Sequence, residues 1–258
     1  MLHHNSLGNY KFLQGIEPYS CGVIADENFE LVRVTMPQSI KWDHGFDKIS
    51  AYLIKENQSI HALASIELRS PHVRSMTEFI EFNSNYINVM SEFDLLVKGL
   101  NPIARTNVVP ASSSDTETTL HAFSYTRQIA NSSLKSFVVA GAGELSGSAL
   151  DSQDIIRYQD TSQDGLSEKV KCVRDVMADR LSKLGVGWTD VTSTSIYTVH
   201  DVQSILNKSL LPHIHTASRF GLQFFAARPP VIDIEFEMDT RGVHVETFLS
   251  SKKPTINC

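Results

Sequence analysis

Apolar and polar positions along this chain alternate with two different periods, and the changes of period mark out its elements. Residues 21–36, CGVIADENFELVRVTM, alternate around Asp26-Glu27-Asn28, the pattern of a β-hairpin. SIHALASIEL, 59–68, alternates like a half-buried strand; 46–56 before it is short and compatible with either a helical turn or a strand. From Ser75 to Val97 the spacing becomes three and four. Phe79, Ile80, Phe82, Tyr86, Ile87, Met90, Phe93 and Leu96 then share one face of a helix, which Gly99 and Pro102 stop. NVV at 107–109 and TLHAFSYT at 119–126 follow as strands on either side of a polar loop.

The second half repeats the rhythm. SFVVAGAGEL, 136–145, is a strand, and a helix is expected from about Ser167 to Leu184, with Leu166, Val170, Val173, Met177, Leu181 and Leu184 on its apolar face and Gly185 and Gly187 ending it. VTSTSIYTV, 191–199, alternates as a strand, and Asp201 caps a short helix that reaches Leu211. GLQFFAARPPVIDIEFEM and GVHVETFL then predict two strands around a turn at 239–242. Both halves thus close on a helix, an Ala-Arg pair, a strand, a turn and a strand with a His. Arg105 to His121 and Arg228 to His244 are each sixteen residues apart. An internal duplication is the simplest account, with one half over 1–128 and the other over 129–258.

Composition narrows the function classes. The 258 residues allow one large domain or two of about 130. A net charge of −6 without a Lys/Arg cluster lacks the footprint of a nucleic-acid binder, so the expected partner is a small metabolite. No apolar run has the length of a membrane span, and no secretory leader opens the chain. Cys21, Cys172 and Cys258 share no metal or redox spacing, which suits a reducing compartment. A cytoplasmic, soluble protein is expected. His3-His4 and the His213/His215 pair lack the partners of a metal site, and GAGELSG lacks dinucleotide-binding spacing, so neither metal nor cofactor is inferred.

The arginines carry the candidate chemistry. A guanidinium at a strand end can hold a substrate carboxylate in bidentate fashion while a neighbouring acid or imidazole moves a proton. His244 and Glu246 are two apart on a strand and share a side, so either can serve Arg228. For a single Arg at a strand end the ordinary role is a surface ion pair. Recurrence of the pattern is what raises these two above it.

Short pieces in a fixed order resemble the YjgF/Rid family of enamine and imine deaminases: GIEPYSCGV at 15–23, TEFIEFNSNYINVM leading into NPIARTNVV, FVVAGAGEL, LGVGWTDVTSTSIYTVHDV, and AARPPVIDIEFEM with GVHVETFL. The resemblance spans most of the chain as two copies where a typical member has one. It implies an α+β fold of two tandem Rid-like, chorismate-mutase-like units, each a mixed sheet packed by helices, with the first half degenerate and a cleft between the halves. It further implies a homo-oligomer, a trimer or another ring, and needs no cofactor. Arg228 and Arg105 match the family's carboxylate-binding arginine and Tyr19 a tyrosine of its N-terminal signature. No Glu falls clearly on the family's water-positioning site, which goes to Glu246 or His244. The implied function is hydrolysis of a small carboxylate-bearing substrate, most simply an enamine or imine acid losing ammonia. Two alternatives stand beside it: chorismatase-like cleavage of an enolpyruvyl ether, on the faint likeness of ARTNVVP, and a non-catalytic ligand-binding or regulatory protein.

Overall fold

A computed structural model describes residues 1–15, 18–130, 134–147 and 152–249; Ile16 and Glu17 of GIEPYSCGV and the terminal Cys258 lie outside the described residues. The chain opens with three strands, β1 (Leu2–Asn5), β2 (Tyr10–Leu13) and β3 (Gly22–Ala25). It continues with β4 (Phe29–Lys41), α1 (Trp42–Lys55), β5 (Leu63–Arg69), α2 (Met76–Glu92), β6 (Ala104–Pro110) and β7 (Thr119–Gln128). Next come β8 (Phe137–Gly143), α3 (Gln163–Lys183), β9 (Ser193–Thr198), α4 (Gln203–Ser209), β10 (Gln223–Arg228), β11 (Glu237–Gly242) and β12 (Val245–Phe248).

All the strands join one mixed sheet in the order β1-β2-β3-β8-β11-β9-β10-β6-β5-β7-β4-β12. The series β-α-β-α-β-β occurs twice, from β4 to β7 and from β8 to β11, and in each the strands lie side by side as first, fourth, second and third. The repeats meet where β10 runs antiparallel to β6, with Ala227 opposite Pro110 and Arg228 opposite Val109.

Each repeat packs its two helices against its own strands; of the stripe read from the sequence in α2, Ile80 is exposed instead of buried. In the first, Phe46, Ile49 and Leu53 of α1 and Phe82, Tyr86 and Met90 of α2 pack on Ile66, Leu68, Phe123 and Tyr125. In the second, Val170, Val173, Met177 and Leu181 of α3 and Ile205 and Leu206 of α4 pack on Phe137, Val139, Ile196 and Met238. A third cluster of Tyr10, Phe12, Val23, Leu31, Ala64, Ala104 and Ala140 draws residues from both repeats and joins them. At roughly 1.5–3 kcal/mol for each large apolar side chain fully buried, these clusters are the main stabilising term.

Local chemistry sets the helix ends. At α2 the Ser75 hydroxyl accepts from the Glu78 N–H (3.3 Å) and the Glu78 carboxylate accepts from the Ser75 N–H (2.8 Å), a reciprocal cap. The helix ends at Glu92, earlier than its apolar spacing implies, because Asp94, Lys98 and Gly99 take positive φ and turn the chain towards β6. Ser162 caps α3 by accepting from the Gly165 N–H, so that helix begins a turn before Ser167.

Several expectations change. Residues 46–56 are helical, within α1. Strands β3 and β4 flank the Asp26–Asn28 turn yet do not pair: β3 lies between β2 and β8, and β4 between β7 and β12. The turn expected at 239–242 is strand, because β11 is held on both sides by β8 and β9, and the chain turns only at 243–244 to reach β4. No helix among the described residues is long and apolar enough to cross a membrane.

Candidate active site

Where β6 of the first repeat passes β8 and β11 of the second there is a small cavity, about 50 Å³. On β6, Arg105 and Asn107 alternate towards it; from β11 comes Glu237, and Tyr19 closes one side. Its floor is strand β8, where Gly141 and Gly143 present no side chain. A Cβ built on Gly141 would stand 2.1 Å from Glu237 Oε1, and one on Gly143 would stand 2.5 Å from Ile234. A side chain at either glycine of FVVAGAG would therefore have to push the Glu237 carboxyl or the Ile234 side chain aside.

Arg105 is buried, with 3% of its surface exposed. One terminal nitrogen donates to Asn83 Oδ1 at 2.7 Å; the other, NH1, is buried with no partner. Aromatic rings rather than carboxylates surround it: Tyr19 at 4.4 Å and Tyr86 at 4.6 Å from ring centroid to Cζ, with Phe82 and Phe79 beyond. A desolvated guanidinium without a counter-ion is costly, and the cost falls away when an anion occupies the cavity. Burial lowers its pKa, opposed by Tyr19, Tyr86 and Glu237. Asn107 has the same character, its Oδ1 accepting from Ser70 Oγ at 2.9 Å while Nδ2 is buried without a partner.

Glu237 is the titratable acid of the cavity. Burial, and then the neighbouring Asp239, push its carboxyl well above the usual carboxylate range, against the opposing pull of Arg180. The acid is held in place from behind by a fully buried ion pair: Lys169 Nζ donates to Glu144 Oε1 (3.0 Å), and the same carboxylate accepts the N–H groups of Glu235 (2.7 Å) and Phe236 (3.0 Å), the two residues before Glu237.

Of the residues singled out from sequence, the structure brings Arg105 and Tyr19 together and places the others elsewhere. Arg228 donates to Glu235 at 2.7 Å, a carboxylate shared with His200 Nε2 at 2.7 Å. Glu246 lies between Arg33 (3.3 Å) and Arg241 (2.8 Å), and His244 is exposed, 3.4 Å from the Lys135 carbonyl. The matched sixteen-residue spacings do not mark matched positions, since Arg105 is second in β6 while Arg228 is last in β10. His121 stands in β7, whereas His244 falls between β11 and β12. Glu237 and Asn107 went unnoticed in the sequence. The signal for Glu237 was IDIEFEMD, whose alternating acids put Glu235, Glu237 and Asp239 on one buried face of the chain.

A buried guanidinium with a free nitrogen, lining one cavity with an acid of raised pKa, is an arrangement chemically suited to a small anion and to proton transfer. Comparison with known proteins gives the class: the chain matches the family of 2-aminomuconate deaminase CnbZ over residues 2–247 and belongs to it. It is 35% identical over 246 residues, covering 95% of this chain and 97% of the relative, to 2-amino-5-chloromuconate deaminase from Comamonas testosteroni. Both matches are to deaminases, and neither supports the chorismatase alternative. Among solved structures, a cyanuric acid hydrolase covers 83% of this chain and 66% of its own at 8% identity and TM-score 0.41. A YjgF-family protein from Neisseria meningitidis covers 48% of this chain and 98% of its own at 13% identity and TM-score 0.21. Both are too distant to bear on the site.

Proposed function

We propose that the protein hydrolyses a 2-aminomuconate-type enamine acid to the 2-oxo acid and ammonia in the cavity of Arg105 and Glu237. The observation that carries this reading is Arg105, a buried guanidinium with a free nitrogen and no counter-ion, in a chain whose family removes amino groups from aminomuconates. The substrate carboxylate next to the amino-bearing carbon pairs with Arg105 NH1 and takes a second hydrogen bond from Asn107 Nδ2. The protonated Glu237 gives its proton to the enamine carbon, leaving an iminium and a carboxylate. That carboxylate then takes a proton from water as the oxygen bonds to the iminium carbon. The recovered proton passes to nitrogen, the C–N bond of the carbinolamine breaks, and loss of the hydroxyl proton leaves ketone and ammonia. One water is consumed and Glu237 ends as it began. Phe79, Leu145, Val231 and Ile234 give the hydrocarbon chain an apolar wall.

The cavity is well below the roughly 300 Å³ at which small-molecule pockets begin, so a six-carbon acid enters only as the lining yields. The wall formed by Pro229, Pro230 and Val231 is the part held by a loop, tied to Arg74 by two backbone hydrogen bonds of 2.8 and 2.9 Å. In the same reading the two repeats are tandem Rid-like units, the first half contributing the arginine and the second the acid.

Ammonia release from 2-aminomuconate tests the proposal. Wild-type protein is expected to release it, and Glu237→Gln to lower kcat roughly 10²- to 10⁴-fold. Turnover by Glu237→Gln at the wild-type rate would refute the assignment.

A further inference from the structure

A second, more open cavity of about 370 Å³ lies across the seam between the repeats, and it is built from the counterparts of the elements that form the first. The first uses β6, β8, the segment after β10 and the start of β11. The second uses β10 (Phe225), β4 (Met36 to Ser39), the segment after β6 (Ser112, Ser113) and the start of β7 (Thr119 to His121). Exchanging the two repeats converts these elements into one another, while Tyr19 and Phe79 belong to the first cavity alone and Arg69 of β5 to the second alone. Two like repeats joined through β6 and β10 generate such a pair of cavities, and the local side chains decide what each can do.

Here the guanidinium comes from Arg69, the last residue of β5. Its NH1 donates to the Leu68 carbonyl at 3.0 Å, and its planar group lies 5.7 and 5.8 Å from the rings of Tyr197 and Phe225. The nearest carboxylate, Glu67, is 3.9 Å away and is already engaged by Arg33 through bonds of 2.6 and 2.8 Å to its two oxygens. Near the place occupied by Glu237 in the first cavity stands His121 of β7, 4.0 Å from Glu67. Burial and Arg69 lower its pKa to about 4, so it offers a neutral N–H. Asp115 is on the same lining but is engaged by the hydroxyls of Ser39 (3.1 Å) and Thr119 (3.3 Å).

We propose that this cavity is a second site, which binds a small carboxylate through Arg69 and the His121 N–H and does not turn it over. The ligand class rests on the reading of the first site; the existence of the second rests on its own residues. The probe is adipate, a six-carbon dicarboxylate with no amino group to lose, followed by calorimetry. Wild-type protein is expected to bind two adipates per chain, Arg105→Gln one, and Arg69→Gln one. Because Arg69→Gln can disturb packing on Phe225, the ring ¹⁵N resonances of His121 in wild type and in Arg105→Gln give a second readout: they shift on saturation with adipate. Folded Arg105→Gln that binds no adipate, or a His121 ring that stays still at saturation, overturns the second site and leaves the first intact. Unimpaired deamination by Arg105→Gln would instead overturn the first, whatever Arg69 does.

Discussion

Arg105 was conspicuous in the sequence as a charge within an uncharged run, and the structure gives that charge surroundings without a counter-ion. What the sequence could not show is that its partner in the cavity is Glu237: the two stand 132 positions apart in the chain and meet only when the repeats close on each other. His244 and Glu246 rested on spacing and on a family resemblance without a clear match at that position, and neither carries information about strand ends. The state of Glu237 sets the pH dependence. A carboxyl whose pKa is raised in the folded protein keeps its proton above the ordinary carboxylate range, so the deamination rate is expected to fall as pH rises through that raised value. Rate profiles of wild type that lack an alkaline limb would speak against an acid at this position. Gly141→Ala is the steric counterpart. Its Cβ must displace the Glu237 carboxyl, so kcat should drop by at least tenfold while circular dichroism stays native.

At the scale of elements, apolar spacing revealed α2 and α3, while their ends depended on caps and positive-φ residues. The extent of β11 was misread because Asp239-Thr240-Arg241-Gly242 has turn composition, whereas ladder hydrogen bonds on both edges hold it as strand. The entry to β11 hangs on Glu144 and Lys169. Lys169→Met leaves a fully buried carboxylate without its cation and is expected to cost about 3–5 kcal/mol in urea unfolding. A loss under 1 kcal/mol would mean that the backbone donors of Glu235 and Phe236 suffice. The wall after β10 makes a kinetic prediction as well. Adipate binding should change hydrogen exchange at Ile232, whose N–H donates to the Arg74 carbonyl, more than at Ile196 in the middle of β9.

For the whole molecule, the sequence showed a shared closing order of elements in the two halves, whereas the full β-α-β-α-β-β series and the strand order of first, fourth, second and third in both repeats could not be read from the chain. Strands β1 and β2 escaped sequence reasoning, and the neighbours of β3 and β12 did too, since β1–β3 extend the edge of the second repeat at β8, and β12 that of the first at β4. A charged network ties these parts: Arg33 of β4 grips Glu67 of β5, and Glu246 of β12 bridges Arg33 to Arg241 of β11. Arg33 holds the Glu67 carboxyl below the usual carboxylate range despite burial. A depressed folded pKa contributes stability above the unfolded value, near pH 4.3, that is lost as pH falls through the folded value, so Glu67→Gln should flatten the acid limb of stability.

The most direct test of the account sets Arg105→Gln beside Arg228→Gln, the arginine that the sequence favours as the carboxylate anchor, in steady-state release of ammonia from 2-aminomuconate. Loss of the charged hydrogen bonds at Arg105 is expected to lower kcat/KM roughly 10²- to 10³-fold, whereas Arg228→Gln, which breaks only an ion pair to Glu235, stays within a few fold of wild type. Loss of turnover in Arg228→Gln with activity retained in Arg105→Gln would contradict it.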